Sequence, residues 1–121
     1  MIPVEQMAIY RETAQHREAE RQQAIRQRFD RAWKVARQGA NLLKEQFGAQ
    51  KVIVFGSLVH PELFHERSDI DLVAWGMVEK AYLPALSALL SLDEAFEIEL
   101  APGEEAKPSI YQTIIQEGQA L

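Results

Sequence analysis

The first 47 residues carry the polar and apolar pattern of one or two long helices. Gln, Glu, Arg and Ala dominate the stretch, and Pro3 stands near its start, where a missing N–H does no harm. In its second half, apolar residues recur at three- and four-residue steps, which predicts a buried helical face. Gly39 is a possible break, and Gly48 is the expected C-terminal stop. The predicted buried face consists of Ile25, Phe29, Ala32, Trp33, Ala36, Ala40, Leu43 and Phe47.

Residues 5–23 are the polar part of this helical stretch. They offer only Met7, Ile9, Tyr10 and scattered alanines as apolar groups. An isolated helix of this length is marginal in water, so we expect an arm that packs weakly in the monomer. Two interpretations remain open: the arm gains order from a partner or a second copy, or it is a frayed surface helix.

The rest of the chain alternates short apolar runs with helical patterns. β-Branched and alternating runs predict strands at residues 51–55, 70–75 and 96–100. Leucines at helical spacing predict a helix over residues 82–92, and a final helix begins at Pro108 and stops before Gly118. The order of elements predicts an α/β fold with a small mixed β-sheet backed by helices.

Composition and charge narrow the class of protein. The chain has 121 residues, of which 47% are hydrophobic and 26% charged, as in an ordinary single-domain globular protein. With zero cysteines it has no disulfide framework and no thiolate metal site. No apolar run approaches the roughly 20 residues needed to cross a bilayer, and the polar N-terminus lacks the apolar centre of a signal peptide, so we expect a soluble, cytoplasmic protein. Residues 1–50 carry a net charge of +3 and residues 51–121 a net charge of −8, which argues against a broad nucleic-acid surface on the second half. We interpret the arginines of the first half as a solvated helix face paired with glutamates.

The candidate chemistry lies between residues 55 and 73. Alternate residues of a strand share a face, so Asp69 and Asp71 project together, while Ile70 faces the core. Paired carboxylates suit Mg²⁺, a hard cation that commonly bridges to substrate phosphates. Either Glu97 or Glu99, on a strand expected to lie alongside, could supply a third carboxylate.

A glycine turn completes the pattern. Gly56 allows a phosphate to approach the backbone closely, and Ser57 adds a hydroxyl donor. Eleven residues separate this Gly-Ser turn from Asp69. Each motif alone is a weak signal, and the informative feature is their combination with the leucine helix and the acidic strand.

Taken together, residues 40–118 resemble the minimal nucleotidyltransferases of the DNA polymerase beta superfamily, which share a Gly-Ser turn, a loop and then Asp-x-Asp. The resemblance implies that Gly56 and Ser57 contact the phosphates of ATP and that Asp69 and Asp71 bind Mg²⁺. It favours Glu99 over Glu97 as the third catalytic and metal-binding acid. It also implies a division into an N-terminal helical extension, residues 1–38, and a nucleotidyltransferase domain, residues 39–121.

The same resemblance implies a partner. Minimal nucleotidyltransferases often act beside a HEPN-domain ribonuclease as an antitoxin that transfers AMP from ATP to a hydroxyl of that protein. Two alternatives remain open: a catalytically inactive protein that neutralises a HEPN protein by contact, and nucleotidyl transfer to a small molecule. Self-association through the N-terminal helix is a further expectation.

Overall fold

A computed structural model describes residues 3–121. Helix α1, Val4–Gln46, runs without interruption for 43 residues, which corresponds to a rod of about 65 Å. Its side chains are exposed as far as residue 24, as predicted for the arm, and its fully buried positions begin at Ala32. The predicted buried face is confirmed in its central part, where Ala36, Ala40 and Leu43 are almost completely buried.

Gly39 does not break α1, and the prediction of a possible break there is wrong. The residue lies on the buried face, where an added Cβ would stand 2.9 Å from Cδ2 of Leu89. Its missing side chain therefore serves close packing between α1 and a second helix. The helix ends just before Gly48, whose φ of 77° turns the chain out of the helical path, as expected.

Four strands form one mixed sheet. They are β1 (Lys51–Phe55), β2 (Ile70–Trp75), β3 (Ile98–Pro102) and β4 (Gln119–Ala120). Their spatial order is β3-β2-β1-β4, with β2 and β3 parallel and the other pairs antiparallel. Strand β3 is thus an edge strand that lies directly beside β2.

Two details of the sheet differ from the sequence prediction. The third strand spans Ile98–Pro102 instead of residues 96–100, and Phe96, in the loop before it, is buried in the main core. Strand β4 was not predicted, because a polar pair such as Gln119-Ala120 has no apolar alternation. It nevertheless pairs with Ile53 and Val54 of β1 and so covers that edge.

Helices cover both faces of the sheet. Helix α2 (Tyr82–Leu90) packs with α1 over one face and encloses the main core. Helix α3 (Pro108–Glu117) begins at the expected proline and covers part of the other face, where Ile114 packs on Ile53 and Val73. Because alternate residues of a strand point to opposite faces, the side chains of β2 point in turn to the main core and to the α3 side.

None of the helices within residues 3–121 has an apolar stretch long enough to cross a membrane.

Candidate active site

Strand β2 presents Asp71 on the sheet face opposite the main core. Its neighbours Ile70 and Leu72 are almost completely buried on the main-core side, as the alternation predicted. Asp71 lies in register with Phe55 of β1 and with Glu99 of β3. Because both flanking strands present these residues on the same face, the sheet carries a row of Phe55, Asp71 and Glu99 on the face that α3 partly covers.

The turn after β1 closes tightly over Asp71. Gly56 has a φ of 77°, a backbone conformation that residues other than glycine rarely adopt. A Cβ on Gly56 would collide with Oδ2 of Asp71. Glycine is therefore required here for its conformation and also for its small size. The half-buried Ser57 follows in the same short 3-10 turn, Gly56–Leu58.

The electrostatics of the row are strongly unfavourable to charge on Asp71. The pKa of Asp71 is raised from 3.8 to about 6, first by burial and then by a hydrogen bond with Glu99 and by the charges of Glu99 and Asp69. The carboxylates of Asp69 and Glu99 are therefore both close enough to Asp71 to influence it. A cluster of like charges of this kind is typical of a site that receives a cation or a proton.

Glu97 occupies a different position from Glu99. Both glutamates are exposed, but Glu97 precedes β3, and its backbone carbonyl accepts a hydrogen bond of 3.0 Å from the Ile70 N–H. Glu97 is absent from the groups that raise the pKa of Asp71. The register thus brings Glu99, and not Glu97, next to Asp71.

A groove of about 530 Å³ opens beside Asp69. Asp69 is half-buried and directly precedes β2. It lines the groove, and its charge also acts on Asp71. The groove has room for part of a substrate next to the cluster. Its lining comes from α1 and from the loops before β2 and β3, and consists of Arg28, Glu66, Arg67, Asp69, Glu94, Ala95 and Glu97.

The fit of this site to Mg²⁺ rests on its chemistry. Within residues 3–121, no group of three or more His, Asp or Glu side chains is already arranged to hold a metal ion. The donors nevertheless suit Mg²⁺, since Asp69, Asp71 and Glu99 offer only carboxylate oxygens and the repulsion among them is what a cation relieves. In the chemistry of their side chains, Asp69, Asp71 and Glu99 therefore fit Mg²⁺.

The arginines of α1 correct one interpretation made from the sequence. Arg21 pairs with Glu18, as a solvated helix face would, but it also reaches Glu66 in the loop before β2. Arg31 pairs with Asp93, and Arg28 donates to the carbonyls of loop residues. These contacts were missed because the loops they reach are far away in sequence, and helical periodicity reports only neighbours within one helix.

Comparison with solved structures identifies the fold. A MntA toxin–antitoxin complex with an aspartate-to-glutamate double substitution superposes with a TM-score of 0.57 at 18% identity, over 70% of this chain and 70% of that chain. A toxin–antitoxin structure with AMP-PNP gives a TM-score of 0.57 at 21% identity, over 67% of each chain. The complex of a tri-AMPylated Shewanella oneidensis HEPN toxin with its minimal nucleotidyltransferase (MNT) antitoxin gives 0.55 at 17% identity, over 74% of this chain and 70% of that chain.

The chain has the fold of the MNT antitoxins. No family model and no curated protein sequence matches the chain, so the likeness lies in the fold. In this structure the Gly-Ser turn lies directly against Asp71 of β2.

Proposed function

We propose that this protein is a Mg²⁺-dependent nucleotidyltransferase that transfers AMP from ATP to a hydroxyl of a partner protein, as the antitoxin of a HEPN/MNT pair. The observation that carries the proposal is the cluster of Asp69, Asp71 and Glu99 beside the Gly56-Ser57 turn. Two of the similar structures support it, since one contains AMP-PNP and another contains a tri-AMPylated HEPN toxin bound to its MNT antitoxin.

The reaction we propose is attack of the acceptor hydroxyl on the α-phosphorus of ATP, with pyrophosphate as the leaving group. Asp69, Asp71 and Glu99 would hold Mg²⁺, which when bound supplies charge neutralisation at the phosphoryl oxygens. Gly56 would allow the phosphates to approach the backbone, and the Ser57 hydroxyl would donate to a phosphate oxygen. Glu99 would also position the acceptor hydroxyl and receive its proton.

The organisation of the chain belongs to the same proposal. Residues 1–38 would form the helical extension and residues 39–121 the nucleotidyltransferase domain. Residues 4–24 of α1 have exposed side chains, which leaves the arm available to a HEPN-domain partner or to a second copy of the chain.

Transfer of label from ATP labelled at the α-phosphate tests the proposal. The acceptor is the short helical protein encoded by the adjacent reading frame, if that protein carries an Arg-x₄₋₆-His motif. We expect Mg²⁺-dependent labelling of the acceptor that is lost in Asp69→Asn and Asp71→Asn. A matched control is Glu97→Gln, which removes a nearby charge outside the cluster.

Two other outcomes identify the alternatives. Inhibition of the partner's ribonuclease activity without any labelling would support the inactive binding partner and contradict the transferase. Labelling of small-molecule acceptors in place of the protein would support nucleotidyl transfer to a small molecule. Isothermal titration calorimetry adds a binding measurement, since equal ATP affinity with and without Mg²⁺ would contradict the metal assignment.

A further inference from the structure

Arg28 connects the middle of α1 to both loops that border the candidate site. Its Nη1 donates to the carbonyl of Ala95 at 2.9 Å, and its Nη2 donates to the carbonyl of Ser68 at 3.1 Å. The guanidinium carbon also lies 4.3 Å from the ring centroid of Phe96. One side chain therefore fixes the segment before β2 and the segment before β3 to the same helix.

These contacts hold the backbone on both sides of Asp69. Ser68 is buried; its carbonyl is occupied by Arg28, and its hydroxyl accepts a hydrogen bond of 2.9 Å from the His65 N–H. On the other side, the Ile70 N–H donates to the carbonyl of Glu97. Both sequence neighbours of Asp69, Ser68 and Ile70, are thus held by hydrogen bonds.

The two hydrogen bonds of Arg28 leave its third guanidinium nitrogen, Nε, buried and unpaired. Among residues 3–121, Nε of Arg28 is the one buried side-chain nitrogen or oxygen without a hydrogen-bond partner. A buried unpaired donor is unfavourable, and such groups usually have a specific reason to persist. The planar fork of arginine spans two separate carbonyls while stacking on an aromatic ring, which the single ammonium of lysine does not.

We infer that Arg28 is a positioning residue that acts through Ser68 to set the direction of the Asp69 carboxylate. The inference rests on the proposed function, because it assigns Asp69 to the reaction. The α1 helix then contributes directly to the geometry of the site, in addition to packing against the sheet. A displacement of about 1 Å at a reacting group is enough to lower a rate by up to about a hundredfold.

Arg31 provides a matched control. It lies one turn further along α1 and donates to Asp93 at 2.8 Å, so it binds the same loop before β3 but does not contact Ser68. Arg28→Gln should lower the turnover of AMP transfer by about tenfold or more, with little change in the KM for ATP. Arg31→Gln should leave turnover within about twofold of the wild type, and Arg28→Lys should fall between the two.

Hydrogen–deuterium exchange of the free protein gives a readout that does not depend on activity. We expect faster exchange of the amides of residues 66–70 in Arg28→Gln and in Arg28→Lys, but not in Arg31→Gln. If Arg28→Gln does not fold, Arg28→Lys carries both measurements. Equal effects of the Arg28 and Arg31 variants on turnover, or unchanged exchange at residues 66–70, would overturn the inference.

The failure of this inference differs from a failure of the proposed function. If Asp69→Asn retains full transfer activity, the proposed site is wrong. If Asp69→Asn is inactive while Arg28→Gln is as active as Arg31→Gln, the site stands and only the positioning role is wrong.

Discussion

Replacing Asp71 with asparagine should stabilise the free protein at neutral pH. Asparagine keeps the size of the side chain and can donate to Glu99, but it carries no charge among the neighbouring carboxylates. The pKa of Asp71 rises from 3.8 to about 6 on folding, first because of burial and then because of Glu99 and Asp69. Ionised Asp71 therefore destabilises the folded state, and the neutral variant removes that cost.

The sign and size follow from linkage. Because the folded pKa is raised, the stability contributed by protonated Asp71 is fully present below about 3.8 and is lost as the pH rises through about 6. A rise from 3.8 to about 6 corresponds to at most about 3 kcal/mol at neutral pH. Asp71 is half-exposed, so screening by solvent reduces the expected gain to roughly 1 kcal/mol. For a chain of this length, that gain raises Tm by about 3 to 5 °C.

Urea unfolding at pH 7.5 and pH 4 measures this effect. The difference in unfolding free energy between Asp71→Asn and wild type should be positive at pH 7.5 and should shrink towards pH 4, where the wild-type carboxyl is protonated in the folded state. Glu97→Gln is the control, because Glu97 does not raise the pKa of Asp71. A variant that is less stable than wild type at pH 7.5, or a gain of equal size at both pH values, would refute the reasoning.

Three further predictions concern the turn, the third carboxylate and the arm. Gly56→Ala should destabilise the fold by more than about 1 kcal/mol, because the added Cβ meets the Asp71 carboxylate and because Gly56 has a φ of 77°. The variant should also lose ATP binding when it is measured by calorimetry, and unchanged binding would contradict this prediction. Glu99→Gln should abolish transfer from labelled ATP, whereas Glu97→Gln should retain most of it, and the reverse result would reassign the third acid. Deleting residues 1–23 should leave the unfolding midpoint nearly unchanged, because residues 4–23 are exposed, but should lower the mass of any assembly seen by light scattering. An unchanged mass and undiminished partner binding would leave the arm without a role in assembly.

Much of the fold could be predicted from local patterns, and the failures have a common cause. Periodicity identified the buried face of α1 and the strand that carries Asp71, because both depend on spacing within one element. Gly39 was misjudged because a glycine in a helix can mark either a break or a close contact, and only the position of Leu89 decides between them. Strand β4 depends on pairing with β1, which no local pattern of its two residues records.

The candidate site could be predicted in part for the same reason. The Gly-Ser turn and Asp-x-Asp are local motifs, so their residues could be named from the sequence. The choice between Glu97 and Glu99 depends on the register between β2 and β3, which places Glu99 opposite Asp71. Arg28 could not be found, because its contacts with Ser68 and Ala95 depend on how α1 is rotated against two distant loops.

The position of β3 at the edge of the sheet gives the Glu99 carboxylate a second role. An exposed edge strand offers unpaired backbone groups to other sheets, and charged side chains and proline are the usual protection against such association. Strand β3 carries the exposed Glu99 as its second residue and Pro102, which has no N–H, as its last. Glu99, the acid proposed for catalysis, therefore also opposes aggregation through this edge of the sheet. A variant neutralised at Glu99 loses part of that protection, so its inactivity is meaningful only when it is measured on protein shown to be free of aggregates.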